Sequence, residues 1–258
     1  MYRKKFIAFI DILGFGSLVE QSAQIPDIAK SIHDALVSMN PSLLQETMYG
    51  SLNEEEIPKD ELEEAKEIAA FMAAKLSQLS PVTISYFSDS LVLSAEADDI
   101  VASQIILELL AKLSIKLWDE HSLLIRGGIT LGDLVHDDNG PLFGPAMNQA
   151  YFLESKEAVS PRIIFDKHCI EAFRKIRTFE IFEPLISEDE NYCYMSLPSS
   201  FRYITTSSTL AFSRSLQLET IEKAQAGTFQ KIQAIIDSTP PSRVKDKYLW
   251  LKNEMGQM

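Results

Sequence analysis

The sequence predicts an α+β fold whose core runs strand, helix, hairpin, helix, strand, the ferredoxin-like β-α-β-β-α-β order. Three observations predict it. Residues 5–11 form an almost wholly apolar run, the mark of a central strand buried on both faces. Residues 82–95, VTISYFSDSLVLSA, hold two β-rich runs around Ser88-Asp89-Ser90 and read as a hairpin with a tight polar turn. The segments between these strands carry apolar residues at helical spacing.

The first strand is built on Phe6, Ile7, Phe9 and Ile10 and ends on a carboxylate, Asp11. A helix is expected over 26–39, with Pro26 in its first turn and Ile28, Ile32, Leu36 and Met39 along one face. Residues 48–58 read as an exposed loop. Leu62, Ala65, Ala69, Met72 and Leu76 mark a helix over 59–78 whose outward side is acidic and solvated. The hairpin follows, then an apolar helix over 98–118. A strand over 123–135, LLIRGGITLGDLV, is loosened by Gly127, Gly128 and Gly132. A helix over 145–157 and a strand at 162–165 continue the chain, with a further strand at 190–196. Beyond about residue 200, helices over 208–237 and around Tyr248-Leu249-Trp250 flank Pro240-Pro241. This tail has too little core to stand alone, so it packs on its own domain or on a second subunit. The expected organisation is a catalytic domain over 1–200, a helical insertion over 41–78, and a helical extension over 201–258.

Composition narrows the function. The 258 residues carry a formal net charge of −13, which argues against a nucleic-acid surface. Two cysteines and four histidines fit no zinc spacing and no disulfide framework, and a reducing cytoplasm is expected. The basic N-terminus leads into an apolar run too short for a membrane span or signal peptide.

One constellation carries chemistry. Asp11 ends the first strand and Asp89 lies in the hairpin turn. In a ferredoxin-like sheet these two elements lie side by side, so the carboxylates approach each other. Two such groups repel unless a cation lies between them, and Mg²⁺ or Mn²⁺ suits a pair of carboxylates plus substrate phosphate. The Gly14-Phe15-Gly16 bend then offers backbone N–H groups at a helix start, where phosphate is favoured.

Four stretches here resemble a known family. FIDILGFG resembles the F-x-D-I-x-G-F-(T/S) motif of class III nucleotidyl cyclases, and FSDSLVL resembles their Gly-Asp hairpin with Ser88 in place of Gly. LLIRGGITLGDL resembles their L-R-x-G-I-x-x-G strand, and LFGPAMNQAYFLES their F/W-G-x-x-(V/A)-N-x-A-x-x-(L/M)-E stretch. The motifs stand in family order from residue 5 to about 165. The resemblance implies a class III cyclase domain with added C-terminal helices. It implies Mn²⁺ or Mg²⁺, two divalent ions per site, held by Asp11, Asp89 and the Ile12 carbonyl. It makes Gly14, Phe15 and Gly16 the phosphate turn and gives Asn148 the task of orienting the ribose from the partner subunit. A homodimer with composite sites follows.

Three positions depart from the family. Ser85 stands where the adenine-reading Lys falls, Pro141 where the base-reading Asp falls, and Phe152 where the transition-state Arg falls. The purine contacts are missing, which removes the usual basis of base selectivity. Ser85 is expected to line the base pocket. Arg126 and Arg162 are the candidates to replace the missing Arg, with Arg126 taken as the catalytic one. The short chain with these motifs is similar to the pyrimidine cyclases of bacterial Pycsar anti-phage systems. That implies UTP or CTP as substrate, cyclic UMP first among the products, and a separate effector that reads it. Cyclic CMP, a purine product, and an inactive nucleotide-binding module remain the alternatives. No nucleic-acid partner and no membrane insertion are expected.

Overall fold

The computed structural model describes residues 1–49, 57–206 and 214–256, with backbone alone for 214–222. The core opens with β1 (Arg3–Ile12), followed by helices α1 (Phe15–Ser22), α2 (Pro26–Ser38), α3 (Pro41–Tyr49) and α4 (Leu62–Leu79). The hairpin is β2 (Thr83–Phe87) and β3 (Ser90–Glu96); α5 (Ile100–His121) leads into β4 (Ile125–His136). After these come β5 (Leu142–Phe143), α6 (Pro145–Phe152), β6 (Arg162–Phe165), α7 (Lys167–Phe173) and α8 (Phe179–Phe182). The chain continues through β7 (Ser187–Glu188), β8 (Cys193–Ser196), α9 (Leu197–Thr206), α10 (Arg214–Ser238) and α11 (Arg243–Met255).

The sheet order is β2-β3-β1-β4-β6-β8-β7, with β5 paired to β4. β1 lies antiparallel between β3 and β4, so the first four strands form an antiparallel ferredoxin-like sheet. β6 adds parallel to β4 and extends it. The α+β reading of the sequence therefore describes the fold.

Alternation along β1 explains its apolar run. Phe6, Ala8, Ile10 and Ile12 enter the main core; Ile7 and Phe9 enter a smaller cluster on the other face with Val92, Leu134, Ala146 and Ala150. Asp11 belongs to the second row, on the α6 side. Gly128 lets α6 close on that face: a Cβ there would lie 2.3 Å from the Ala150 carbonyl oxygen. The glycines of β4 thus serve close approach and do not loosen the strand.

α5 is apolar nearly all round because it is covered on several sides. Its N-cap Asp99 accepts from the Ala102 N–H at 2.9 Å. The tail packs on this same domain. Ile232, Ile236 and Leu251 are buried in the main core, and Trp118 Nε1 donates to Thr228 Oγ1 at 2.9 Å.

Several boundaries differ from expectation. Residues 48 and 49 end α3, while 50–56 of the expected loop, including Glu54, Glu55 and Glu56, lie outside the described residues. Expected helix positions 208–213 and the side chains of Leu218 and Ile221 lie outside them too. The helix expected over 145–157 changes to a π-helical turn at Leu153–Glu157. α1 was absent from the periodicity because its apolar positions are few and none is buried.

Candidate active site

The site grows from the register of β1. Asp11 is paired with Ser90 on one side and with Arg126 on the other. The hairpin closes in two residues, Ser88 and Asp89, between the paired Phe87 and Ser90. Ser88 takes φ 56°, a left-handed conformation that costs a non-glycine residue about 1–2 kcal/mol. That bend brings Asp89 within hydrogen-bonding reach of Asp11.

Burial first, then Asp89, push the Asp11 carboxyl up to about 7. Arg126 opposes this: its Nη2 donates to Asp11 Oδ2 at 3.2 Å. The same Nη2 lies 2.7 Å from Glu154 Oε1. Glu154 is 3% exposed and sits in the π-helical turn, a local form frequent at functional sites. Burial raises its carboxyl, and the Arg126 charge acts against that rise. Arg126 Nε and Glu154 Oε1 are buried with no hydrogen bond, so the contact is an ion pair rather than an aligned bond. Three carboxylates and one guanidinium therefore converge at the end of β1, with negative charge in excess.

Beyond Ile12 the chain bends at Gly14, whose φ of 82° requires glycine. The α1 N-terminus has no side-chain cap. The N–H groups of Gly14, Phe15 and Gly16 find no acceptor among the described residues. Nothing lies within 4 Å of a Cβ built on Gly14 or Gly16, so the space over the turn is open.

The other sequence-selected residues are distributed around this centre. Asn148 is exposed on α6, and its side chain makes no hydrogen bond among the described residues. Phe152 follows one turn later, 47% exposed, and Tyr151 meets Phe9 edge-to-face at 5.5 Å. Ser85 does not stand alone: its hydroxyl is 2.9 Å from His136 Nε2, and His136 Nδ1 is 2.8 Å from Ser94 Oγ. Burial, with the Lys5 charge added, lowers His136 to about 4, so the ring is neutral. No metal-binding spacing in the sequence includes His136, because its partners are hydroxyls on other strands.

The two arginines separate clearly. Arg126 touches Asp11 and Glu154. Arg162 pairs with Asp189, and its guanidinium lies over the rings of Tyr194 at 4.9 Å, Tyr192 at 5.6 Å and Trp250 at 5.9 Å. It fastens Trp250 of α11 against Tyr194 of β8, on the face of the sheet that also carries Arg126. Glu154, from the LFGPAMNQAYFLES stretch, is in contact with Arg126.

Solved structures of similar architecture include the adenylyl cyclase CyaB from P. aeruginosa, 15% identical, covering 76% of this chain and 94% of that chain, with a TM-score of 0.42. A bacterial light-regulated adenylyl cyclase is 14% identical over 88% of this chain and 99% of that chain, with a TM-score of 0.40. No family model and no curated protein matches the chain. These are likenesses of architecture; the chemistry rests on the residues at the end of β1.

Proposed function

We propose that the chain is a class III nucleotidyl cyclase that converts a pyrimidine nucleoside triphosphate, UTP before CTP, into a 3′,5′-cyclic nucleotide and pyrophosphate. The observation that carries this reading is the meeting of Asp11, Asp89 and Arg126 beside the open Gly14–Gly16 turn. Carboxylates, a guanidinium and free backbone N–H groups in one place suit a polyphosphate and its counter-ions.

The donor set fits Mn²⁺ or Mg²⁺. Both take hard oxygen ligands and commonly use one or two carboxylates when phosphates complete the shell. Among the described residues no three His, Cys, Asp or Glu side chains are grouped to hold a metal ion by themselves. Phosphate oxygens therefore belong to the coordination this reading requires. Asp11, Asp89 and the Ile12 carbonyl would hold the ions, two per site. Bound there, they offset phosphate charge and lower the pKa of a ribose hydroxyl.

The chain's own groups do the rest. The N–H groups of Gly14, Phe15 and Gly16 bind phosphate oxygens at the positive end of α1. Arg126, held from behind by Glu154, offsets charge that builds on the phosphate as the 3′-oxygen closes on phosphorus. Asn148 from a second copy orients the ribose. The exposure of Phe87, Tyr151 and Phe152 near this face supports cover by that second copy. Ser85, tied to a neutral His136, replaces a cationic purine-reading group and supports a pyrimidine substrate. The product would be a second messenger in anti-phage defence, read by a separate effector in the cytoplasm. No described helix is long and apolar enough to cross a membrane.

The test incubates purified protein with Mn²⁺ and each of the four ribonucleoside triphosphates and identifies products by mass. Cyclic UMP is the expected product, and cyclic CMP would reassign the base. Cyclic AMP or GMP would overturn the pyrimidine reading. Nucleotide binding without product would leave the inactive module, which Phe152 in the arginine position favours.

A further inference from the structure

Beside the Gly14 bend, the C-terminal helix carries a cation that has no partner among the described residues. α11 holds three lysines. Lys245 Nζ donates to the Thr239 carbonyl at 3.1 Å, and Lys252 Nζ donates to Gln233 Oε1 at 2.6 Å. Lys247 has no hydrogen bond or ion pair among the described residues.

Its surroundings are specific. Lys247 lines a cavity of about 160 Å³ together with Leu13, Gly14, Ser17, Leu124 and Tyr248. The bend at Gly14 thus shares a cavity with an ammonium group. Burial, then the Arg126 charge, lowers Lys247 below the usual ammonium range. Lys247 is only partly exposed, and an ammonium group drawn out of water with no anionic partner is an arrangement that a bound anion relieves.

The helix that carries Lys247 is fixed. Leu251 is fully buried, Tyr248 packs against Trp118 with centroids 6.5 Å apart, and Trp250 lies over Arg162 and beside Tyr194. Ser242 caps its start by accepting from the Lys245 N–H at 3.3 Å. A lysine on so well anchored a helix is positioned rather than free to sweep solvent.

We propose that Lys247 is a polyphosphate-binding residue, delivered by the C-terminal helix to the anion site over Gly14–Gly16. This rests on the reading of that turn as a phosphate cradle, and it gives α11 a part in substrate binding. The ammonium and the free N–H groups approach the same oxygens from two sides, with Arg126 completing the set.

The experiment measures binding of inorganic tripolyphosphate with Mg²⁺ by titration calorimetry to the full chain. Wild type, Lys247→Met, Lys247→Arg and Lys245→Met are compared, with circular dichroism melts to check folding. Loss of a charged hydrogen-bond donor should weaken binding on the order of tenfold to a hundredfold in Lys247→Met. Lys247→Arg should recover most of it, and Lys245→Met should match wild type. Binding by folded Lys247→Met within twofold of wild type overturns the proposal, as does absence of binding to wild type. The four-nucleotide assay separates this from the cyclase reading. Lys247-dependent tripolyphosphate binding without any cyclic product keeps the anion site and removes the cyclase.

Discussion

Arg126 Nη2 lies 3.2 Å from Asp11 Oδ2 and 2.7 Å from Glu154 Oε1, so one guanidinium nitrogen joins a carboxylate at the open site to another that is buried. Glu154 is the inner anchor of that link. Glu154→Gln leaves the volume but removes the charge that holds Arg126. Breaking the pair should lower stability by about 1–3 kcal/mol, below the full cost for a buried pair because Asp11 still contacts the arginine. Urea unfolding gives the value through a lower midpoint at unchanged slope. An unchanged midpoint would show that Arg126 needs no such anchor.

Asp11 stands where its ionised form is disfavoured, with its carboxyl pushed up to about 7 against an ordinary 3.8. The sign follows directly. The folded state holds the proton more tightly than the unfolded state, so ionisation opposes folding above about 7. That penalty fades as pH falls through the folded value and is gone below the unfolded one. Asp11→Asn should therefore stabilise the protein in EDTA at pH 8 by about 1–2 kcal/mol, and the gain should vanish near pH 4. The same change should reduce cyclic-nucleotide formation by at least about 10²-fold. A less stable, fully active Asp11→Asn protein would contradict both statements.

The two glycines of the turn should behave differently. Gly14 has φ 82°, and alanine there should cost about 1–2 kcal/mol. Gly16 has no such conformation and an open Cβ position. Gly16→Ala should leave stability within about 0.5 kcal/mol, since surface changes without strain seldom do more. Its methyl group would project where phosphate oxygens approach the N–H groups. Weaker tripolyphosphate binding with an unchanged melt is the expected result for Gly16→Ala; a lowered melt is expected for Gly14→Ala.

The fold was legible where local pattern and global position agree. The run Phe6–Ile10 is apolar because β1 is covered on both faces, and strand alternation with a two-residue turn carries Asp11 and Asp89 toward each other. The cluster around them was less legible. Glu154 reaches Arg126 only because the helix widens into a π-helical turn, which periodicity does not distinguish from an α-helix. His136 meets Ser85 and Ser94 from the far end of another strand, and no spacing rule links two hydroxyls to one imidazole. Sequence alone offers both Arg126 and Arg162 for the missing arginine and holds no sign of their different surroundings. One meets carboxylates and the other an aromatic cage because they occupy different strands with different neighbours. Lys247 belongs to a tail whose docking on α5 and α9 depends on tertiary packing alone.

His136 offers a pH test away from the carboxylates. Its ring is buried, lies between Ser85 Oγ and Ser94 Oγ, and is lowered to about 4 from an ordinary 6.5. The other groups bearing on it are Lys5, which lowers it further, and Asp137 and Asp138, which pull the other way. In the unfolded chain His136 gains its proton as pH falls through about 6.5, while in the folded chain it stays neutral down to about 4. The unfolded state thus binds more protons in that window, and stability falls as pH drops from 6.5 toward 4. The full span is worth up to about 3 kcal/mol. His136→Gln keeps hydrogen-bonding capacity for the serines and removes the titration. Urea unfolding of both proteins at several pH values between 4 and 7 should show wild type losing stability faster than the variant on acidification. Parallel pH profiles would mean that His136 is protonated in the fold, and the neutral Ser85–His136–Ser94 arrangement would then be wrong.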